Sequence, residues 1–222
     1  MLLKSFGCSF TYGSDLHDCT NIPNECSHST WPALLANSIN AGYECYAHPG
    51  IGNLQIYQTI LDQVTLLDSE FFIINWTWLD RFDFIDPVQE HWHTLRPDGL
   101  TKEHQLYYKH FYHQYHTMLT NAAYISSTIS ILKQHNIKFI MTLLDETLFE
   151  DINPNWQLPR PTKILENQIK PCITKFDNLN FLDWSRREGF KISDNWHPLE
   201  EDRKSTRLNS SHTDISRMPS SA

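Results

Sequence analysis

The chain has 222 residues with 18 Lys+Arg, 26 Asp+Glu and a formal net charge of −8. An acidic surface repels a phosphate backbone, and no Lys/Arg-rich run occurs in residues 1–201, so nucleic-acid binding is disfavoured. No apolar run approaches the roughly 20 residues that span a bilayer, and the N-terminus lacks the form of a signal peptide. We therefore expect a cytoplasmic protein without a membrane span.

The predicted strands are short apolar runs that alternate with helical patterns. They are Leu2–Phe6, Tyr43–Ala47, Phe71–Ile74, Ile137–Leu144 and Asn180–Asp183. Helices are predicted over Trp31–Ile39, from Asn53 to Val64, along a stripe from Phe111 to Leu132, and from about Thr162. Residues 13–30, 80–102 and 150–162 are interpreted as loops. This alternation predicts a three-layer α/β/α domain with a flavodoxin-like parallel sheet of about five strands.

The C-terminal segment differs from the rest of the chain. Residues 202–212 resemble a translated sequencing adapter, so we interpret residues 202–222 as an artefactual, disordered tail. Residues 1–201 are then expected to form one domain, truncated at its C-terminus. Four of the 18 Lys+Arg and two of the 26 Asp+Glu lie in the tail, which gives the domain a formal net charge of −10.

The five cysteines are odd in number and include no C-x-x-C pair. Free thiols in a reducing compartment are the simpler interpretation. A Cys19–Cys26 disulfide in an exposed loop is the alternative.

Polar residues follow several of the predicted strands. Ser9, Gly52, Asn75 or Thr77, Asp145 and Asp183 each come just after one. Because loops that follow parallel strands meet on one rim of the sheet, these residues are expected to surround one cleft.

Two short motifs near opposite ends of the chain carry chemistry. Ser9 follows the first strand, where a turn can present its hydroxyl beside free backbone N–H groups. Taken alone, Ser9 is more simply interpreted as the N-cap of a helix. Asp194-x-x-His197 puts a carboxylate three residues before an imidazole, a spacing that lets the acid orient the ring. Together they are a stronger signal than either motif alone.

With these motifs the chain resembles the SGNH/GDSL hydrolase superfamily, in its G-x-S-x-T-x-G variant. The family has four sequence motifs, called blocks. Residues 7–11 match the first block, and residues 49–53 match the second. Residues 74–77 lie where the third block is expected, and residues 194–198 match the last. The match spans nearly all of residues 1–201. Cys8 replaces the usual Asp of the first block, and the third block lacks G-x-N-D.

The resemblance implies a triad in which Ser9 attacks an acyl carbonyl, His197 is the general base and then acid, and Asp194 holds the imidazole. It also implies an oxyanion hole formed by the backbone N–H of Ser9, a glycine N–H and an Asn side chain. We choose Gly52 and Asn75 for the last two roles, with Gly50 and Thr77 as the alternatives.

The sequence also offers an alternative nucleophile and a possible metal site. Cys8 is an alternative nucleophile, although a small buried Cys is the commoner fate. His110, His113 and His116 fall at i, i+3 and i+6 without accompanying ligands, so neither a metal nor an organic cofactor is expected.

Three further residues follow the third strand, and we expect them to border a substrate cleft: Trp76, Trp78 and Arg81. The alternative, equally supported by the sequence, is that these side chains only pack under the 80–102 loop.

The predicted function is hydrolysis of a short-chain acyl ester, O-acetyl in particular, through an acyl-enzyme on Ser9. The expected partner is a small-molecule or glycan-linked ester, and the sequence leaves the oligomeric state open. The alternative function is a catalytically degenerate SGNH-fold protein that binds a glycan or a protein.

Overall fold

The computed structural model describes residues 1–19, 25–64, 70–149 and 163–199. The strands are β1 (Leu2–Phe6), β2 (Gly42–Cys45), β3 (Glu70–Trp76), β4 (Phe82–Ile85), β5 (Trp92–Leu95) and β6 (Lys138–Leu143). The helices are α1 (Ser9–Tyr12), α2 (Trp31–Ser38), α3 (Asn53–Val64), α4 (Lys102–His110), α5 (Gln114–Gln134), α6 (Lys163–Ile169) and α7 (Phe181–Arg187).

The centre of the fold is a four-stranded parallel sheet in the order β2-β1-β3-β6. Strand β3 has apolar residues on both faces: Phe72 and Ile74 pack with α3 and α5, whereas Ile73 packs with Leu3 and α2. A strand covered on both sides needs no polar alternation, which explains its continuous apolar run. The predicted α/β class with a parallel sheet flanked by helices is therefore confirmed.

The predicted strand Asn180–Asp183 is wrong. Asn180 caps α7, because its side-chain oxygen accepts a hydrogen bond from the Asp183 N–H at 2.9 Å. A single parallel bridge between Met141 and Ile173 lies beside β6 where a fifth strand would run. Asp183 consequently sits in the first turn of a helix and not after a strand.

Residues 80–102, predicted as an irregular loop, contain an antiparallel hairpin of β4 and β5. Its turn is held by Asp86, which accepts hydrogen bonds from the N–H groups of Val88 and Gln89. The long helical stripe is also shorter than predicted: α5 begins at Gln114, capped by His113, and Phe111 lies outside it with 74% of its surface exposed.

Within the described ranges, no helix is both long and apolar enough to cross a bilayer. The predicted tail, residues 202–222, lies outside the described residues, as does the predicted loop at 150–162. Both remain predictions.

Candidate active site

The turn that follows β1 places Ser9 at the first position of α1. Cys8 is the N-cap, and its carbonyl accepts from the N–H groups of Thr11 and Tyr12, both at 3.0 Å. Gly7 is required before it, since a Cβ there would lie 2.3 Å from the Thr11 hydroxyl oxygen. Ser9 therefore does not cap the helix, and its hydroxyl is left for another partner.

That partner is His197. The Ser9 hydroxyl lies 2.7 Å from Nε2 of the imidazole, across a sequence separation of 188 residues. The ring of Phe10 packs edge-on against the imidazole at 4.8 Å. Ser9 and His197 are each 8% exposed, so the contact is shielded but reaches the surface. The structure thus brings together two of the three predicted triad residues.

The third partner is Asp15 and not the predicted Asp194. Nδ1 of His197 lies 2.8 Å from Oδ2 of Asp15, which leaves neither ring nitrogen for Asp194. Asp194 is exposed. The predicted role of Asp194 as the carboxylate beside the imidazole is therefore corrected to Asp15.

The geometry of the 193–197 turn explains this difference. Ser193 and Asn195 both donate side-chain hydrogen bonds to the carboxylate of Asp15. Asp194 and Trp196 alternate with them and are exposed, and Trp196 stacks against the Arg186 guanidinium at 5.1 Å. The turn thus directs the side chains of Ser193, Asn195 and His197 towards Asp15, and the intervening Asp194 is exposed.

The contacts of Asp15 also set its charge. Burial raises the pKa of Asp15, but hydrogen bonds from Ser193 and His197 outweigh that cost and hold the pKa below its usual value. Asp15 is consequently a carboxylate at neutral pH. It can accept the Nδ1–H of His197, fix that tautomer and stabilise the imidazolium.

Gly13 gives the chain the turn that leads to Asp15. It ends α1 with φ of +78°, a left-handed conformation that strains any residue with a Cβ. A Cβ at Gly13 would also lie 2.6 Å from Ser27 and 2.7 Å from Thr30. The 27–30 segment is thus packed directly against the turn that positions the carboxylate.

Gly13→Ala is expected to destabilise the fold by about 2 kcal/mol more than Gly189→Ala. Gly189 has φ of +85° with nothing within 4 Å of the new Cβ, so its substitution isolates the backbone strain. Unfolding by urea measures both variants. Equal losses in the free energy of unfolding would contradict this prediction, because the 27–30 segment would then have shifted to accommodate the methyl group without destabilising the fold.

The predicted oxyanion residue Gly52 is already engaged. Its N–H donates to Oδ1 of Asp83 at 2.9 Å. A carboxylate at that position fills the space an oxyanion would need and repels its charge, so the assignment of Gly52 is wrong. The alternative, Gly50, is half-buried with φ of +80°, and no hydrogen bond to a described residue holds its N–H.

Asn75 and Thr77 are both fully buried, and each keeps one unpaired polar atom among the described residues. The Asn75 side-chain oxygen accepts from the Thr142 hydroxyl at 2.9 Å, which leaves its amide nitrogen without a partner. The Thr77 N–H donates to the Asn53 side chain at 2.8 Å, and its hydroxyl is unpaired. Both remain candidates for the third donor.

The predicted cleft residues separate into three environments. Trp76 is fully buried in the main core, so its prediction as a cleft wall is wrong; it belongs to β3, opposite Leu143. Trp78 is partly buried against the same core. Arg81 donates to the Ile51 carbonyl at 2.8 Å and lines a cavity between α5 and the β4–β5 hairpin.

Cys8, the alternative nucleophile, is fully buried, and its sulfur lies 4.0 Å from the Ser9 hydroxyl oxygen. The imidazole contacts the serine hydroxyl. Among the described residues, no three His, Cys, Asp or Glu side chains form a group that could hold a metal ion.

No family model matches the sequence, and neither does any curated protein. Among solved structures, the chain is similar to the psychrotrophic esterase EstA from Pseudoalteromonas sp., whose structure was solved with the enzyme inhibited by monoethylphosphonate. That match has 11% identity and a TM-score of 0.46, and covers 89% of this chain and 87% of that one.

Two further solved structures are lipolytic proteins of the G-D-S-L family. The one from Veillonella parvula has 12% identity and a TM-score of 0.40, covering 89% of this chain and 88% of that one. The one from Desulfitobacterium hafniense has 14% identity and a TM-score of 0.38, covering 77% of this chain. This chain spans 66% of that protein, just under two thirds of its length. These three solved structures are thus a psychrotrophic esterase and two proteins of the lipolytic G-D-S-L type.

Proposed function

We propose that this chain is a serine hydrolase that cleaves short-chain acyl esters, O-acetyl esters in particular, through an acyl-enzyme on Ser9. The observation that carries the proposal is the continuous hydrogen-bonded relay from the Ser9 hydroxyl through His197 to Asp15. A serine, an imidazole and an ionised carboxylate in this order activate a hydroxyl as a nucleophile.

In the first half-reaction, the Ser9 oxygen attacks the ester carbonyl while Nε2 of His197 takes the hydroxyl proton. The carbonyl oxygen becomes a tetrahedral oxyanion, and the new imidazolium is stabilised by the Asp15 carboxylate. The imidazolium then gives its proton to the departing alkoxide, leaving an acyl-Ser9. Water, deprotonated by the same imidazole, hydrolyses the acyl group and restores the serine.

For the oxyanion we propose the backbone N–H of Ser9, the Gly50 N–H, and either the Asn75 amide or the Thr77 hydroxyl. Among the described residues, the Ser9 and Gly50 N–H groups are not used in the hydrogen bonds of the fold. Removal of one oxyanion donor typically lowers kcat by about 10²–10³-fold.

The surroundings of the relay favour a small acyl group. Ser9 and His197 are each only 8% exposed, which leaves little room for a long acyl chain beside them. Trp196 is 58% exposed and immediately precedes His197. One face of its ring packs against the Arg186 guanidinium. A glycan-linked acetyl ester therefore rests on the expectation from sequence and not on this ring.

The test is hydrolysis of p-nitrophenyl acetate, followed at the release of p-nitrophenol. Wild type is expected to hydrolyse it, and Ser9→Ala and His197→Ala are expected to lose the activity. An organophosphonate should add one phosphonyl group to wild type at Ser9 and none to Ser9→Ala. Equal rates in all three proteins would end the proposal.

A degenerate SGNH-fold protein that binds a glycan or a protein is the second candidate. The observation that favours it is the engaged Gly52 amide, which removes one donor from the expected oxyanion hole. This function predicts no hydrolysis and no phosphonyl adduct in wild type.

A further inference from the structure

The turn that carries His197 is closed by its own backbone. The Ser193 N–H donates to the His197 carbonyl at 2.8 Å, and the Trp196 N–H donates to the Ser193 carbonyl at 2.9 Å. Next to them along the chain, Ile192 and Pro198 form a single antiparallel bridge. The two ends of the turn are therefore held together, but none of these backbone bonds reaches the carboxylate of the relay.

The Ser193 hydroxyl makes that connection. Its oxygen accepts hydrogen bonds from the N–H groups of Asn195 and His197, both at 3.2 Å. A hydroxyl has two lone pairs and one proton, so the two N–H groups occupy the lone pairs and the proton is left for an acceptor. That acceptor is Oδ2 of Asp15, the same oxygen that lies 2.8 Å from Nδ1 of His197. Every hydrogen-bonding position of the hydroxyl is thus used.

These contacts close a ring. It runs from the Ser193 hydroxyl to Oδ2 of Asp15, from that oxygen to the imidazole, and through His197 back to the backbone N–H that binds the Ser193 oxygen. The carboxylate is consequently bound both to the imidazole and to the turn that carries the imidazole. Asn195 adds only longer contacts from its side-chain amide to Asp15, at 3.3 and 3.4 Å.

We propose that Ser193 is a positioning residue of the relay, whose hydroxyl holds Asp15 and His197 in the relative orientation that directs Nε2 at Ser9. The proposal rests on the hydrolase function proposed above. The hydroxyl binds Asp15 and the backbone of its own turn, so it acts on the reaction through the imidazole. A displacement of about 1 Å at a reacting group can lower a rate by about 10²-fold, and loss of the hydroxyl frees both groups to move.

The first test compares kcat and KM for p-nitrophenyl acetate at a temperature where all variants are folded. Ser193→Ala should lower kcat by about 10–100-fold and leave KM within about two-fold of wild type, because positioning is lost while substrate contacts are not. Ser193→Thr keeps the hydroxyl and should restore most of kcat.

The matched control is Ser126→Ala. The Ser126 hydroxyl donates to the Gln168 side chain at 2.7 Å, which joins α5 to α6. This variant also loses one side-chain hydrogen bond of a serine, so it reports the effect of a general loss of stability. It should keep the kcat of wild type.

The second test needs no hydrolysis. In protein with isotopically labelled histidine, the Nδ1 proton of His197 should give a low-field NMR signal that exchanges slowly with water, since its hydrogen bond to Asp15 fixes the tautomer. His197→Ala assigns the signal by removing it. Ser193→Ala should lose the signal through faster exchange, whereas Ser193→Thr and Ser126→Ala should keep it.

A Ser193→Ala variant with the kcat and the Nδ1 signal of wild type would overturn the proposal. A folded Ser193→Thr that loses as much kcat as Ser193→Ala would do the same, because the hydroxyl would then not be the group that matters. If wild type hydrolyses no ester, the proposed function fails alone, and the Nδ1 signal still decides whether Ser193 holds the imidazole.

Discussion

Replacing Asp15 by Asn is expected to lower kcat for p-nitrophenyl acetate by about four orders of magnitude, whereas Asp194→Asn should change it by no more than a few-fold. The Asp15 carboxylate accepts the Nδ1–H of His197 at 2.8 Å. An amide in its place carries no charge to stabilise the imidazolium, and its NH₂ group favours the wrong tautomer. Asp194 is exposed and has no place at the ring.

The two substitutions are chemically identical, but Asp15 contacts the imidazole whereas Asp194 is exposed, so each is the control of the other. Their melting temperatures must be measured as well, because Asp15 also accepts hydrogen bonds from Ser193 and Asn195. A folded Asp15→Asn with full activity, beside an inactive Asp194→Asn, would restore the assignment made from the D-x-x-H spacing.

The parts of the site that were predictable from sequence are those with a strong local signal. The apolar runs of β1, β3 and β6 place the sheet, and the residue after each run lies at its carboxyl end. Ser9 follows β1 in this way. His197 belongs to the D-x-x-H motif, which identifies the imidazole correctly even though the carboxylate beside it is Asp15 and not Asp194.

Asp15 carried no comparable signal. It lies in a polar segment where Ser, Asp and Asn are common, and only three-dimensional packing selects it. The hydroxyl of Ser193 and the amide of Asn195 both donate to it, and neither residue was singled out from sequence. The one local hint was Gly13, whose left-handed backbone redirects the chain two residues earlier.

Two other predictions that the structure corrects concern the 180–183 segment and the end of β3. Asn180-x-x-Asp183 is a pattern typical of a helix start. The apolar Phe-Leu pair between these residues favours a strand instead, and that prediction is wrong. The apolar run ends at Ile74 and predicts that Trp76 follows the strand, yet β3 continues through Trp76 beside β6. Strand length is set by the neighbouring strand as much as by the strand's own sequence, and so a single chain is a poor guide to it.

Asp83→Ala is expected to produce the largest loss of stability, about 3–5 kcal/mol. Asp83 is 5% exposed and accepts four hydrogen bonds: from the Gly52 N–H, from the backbone and side chain of Gln55, and from the Thr94 hydroxyl. It therefore joins the start of α3 to the β4–β5 hairpin. Alanine would leave the N–H groups of Gly52 and Gln55 unpaired in a site too enclosed to hydrate them freely, whereas the Gln55 side-chain amide keeps the Thr94 hydroxyl as a partner.

The matched control is Asp98→Ala, on the loop after β5. The Asp98 side chain is 76% exposed and pairs with Arg96 at 3.5 Å, so its loss should stay within about 0.5 kcal/mol. Thermal unfolding should separate the two variants by roughly 6–15 °C. Because Asp83 holds the 49–52 turn through Gly52, the temperature at which the proposed esterase activity is lost should fall in parallel. Similar melting temperatures for the two variants would mean that water replaces the carboxylate, and that the turn bearing Gly50 does not depend on it.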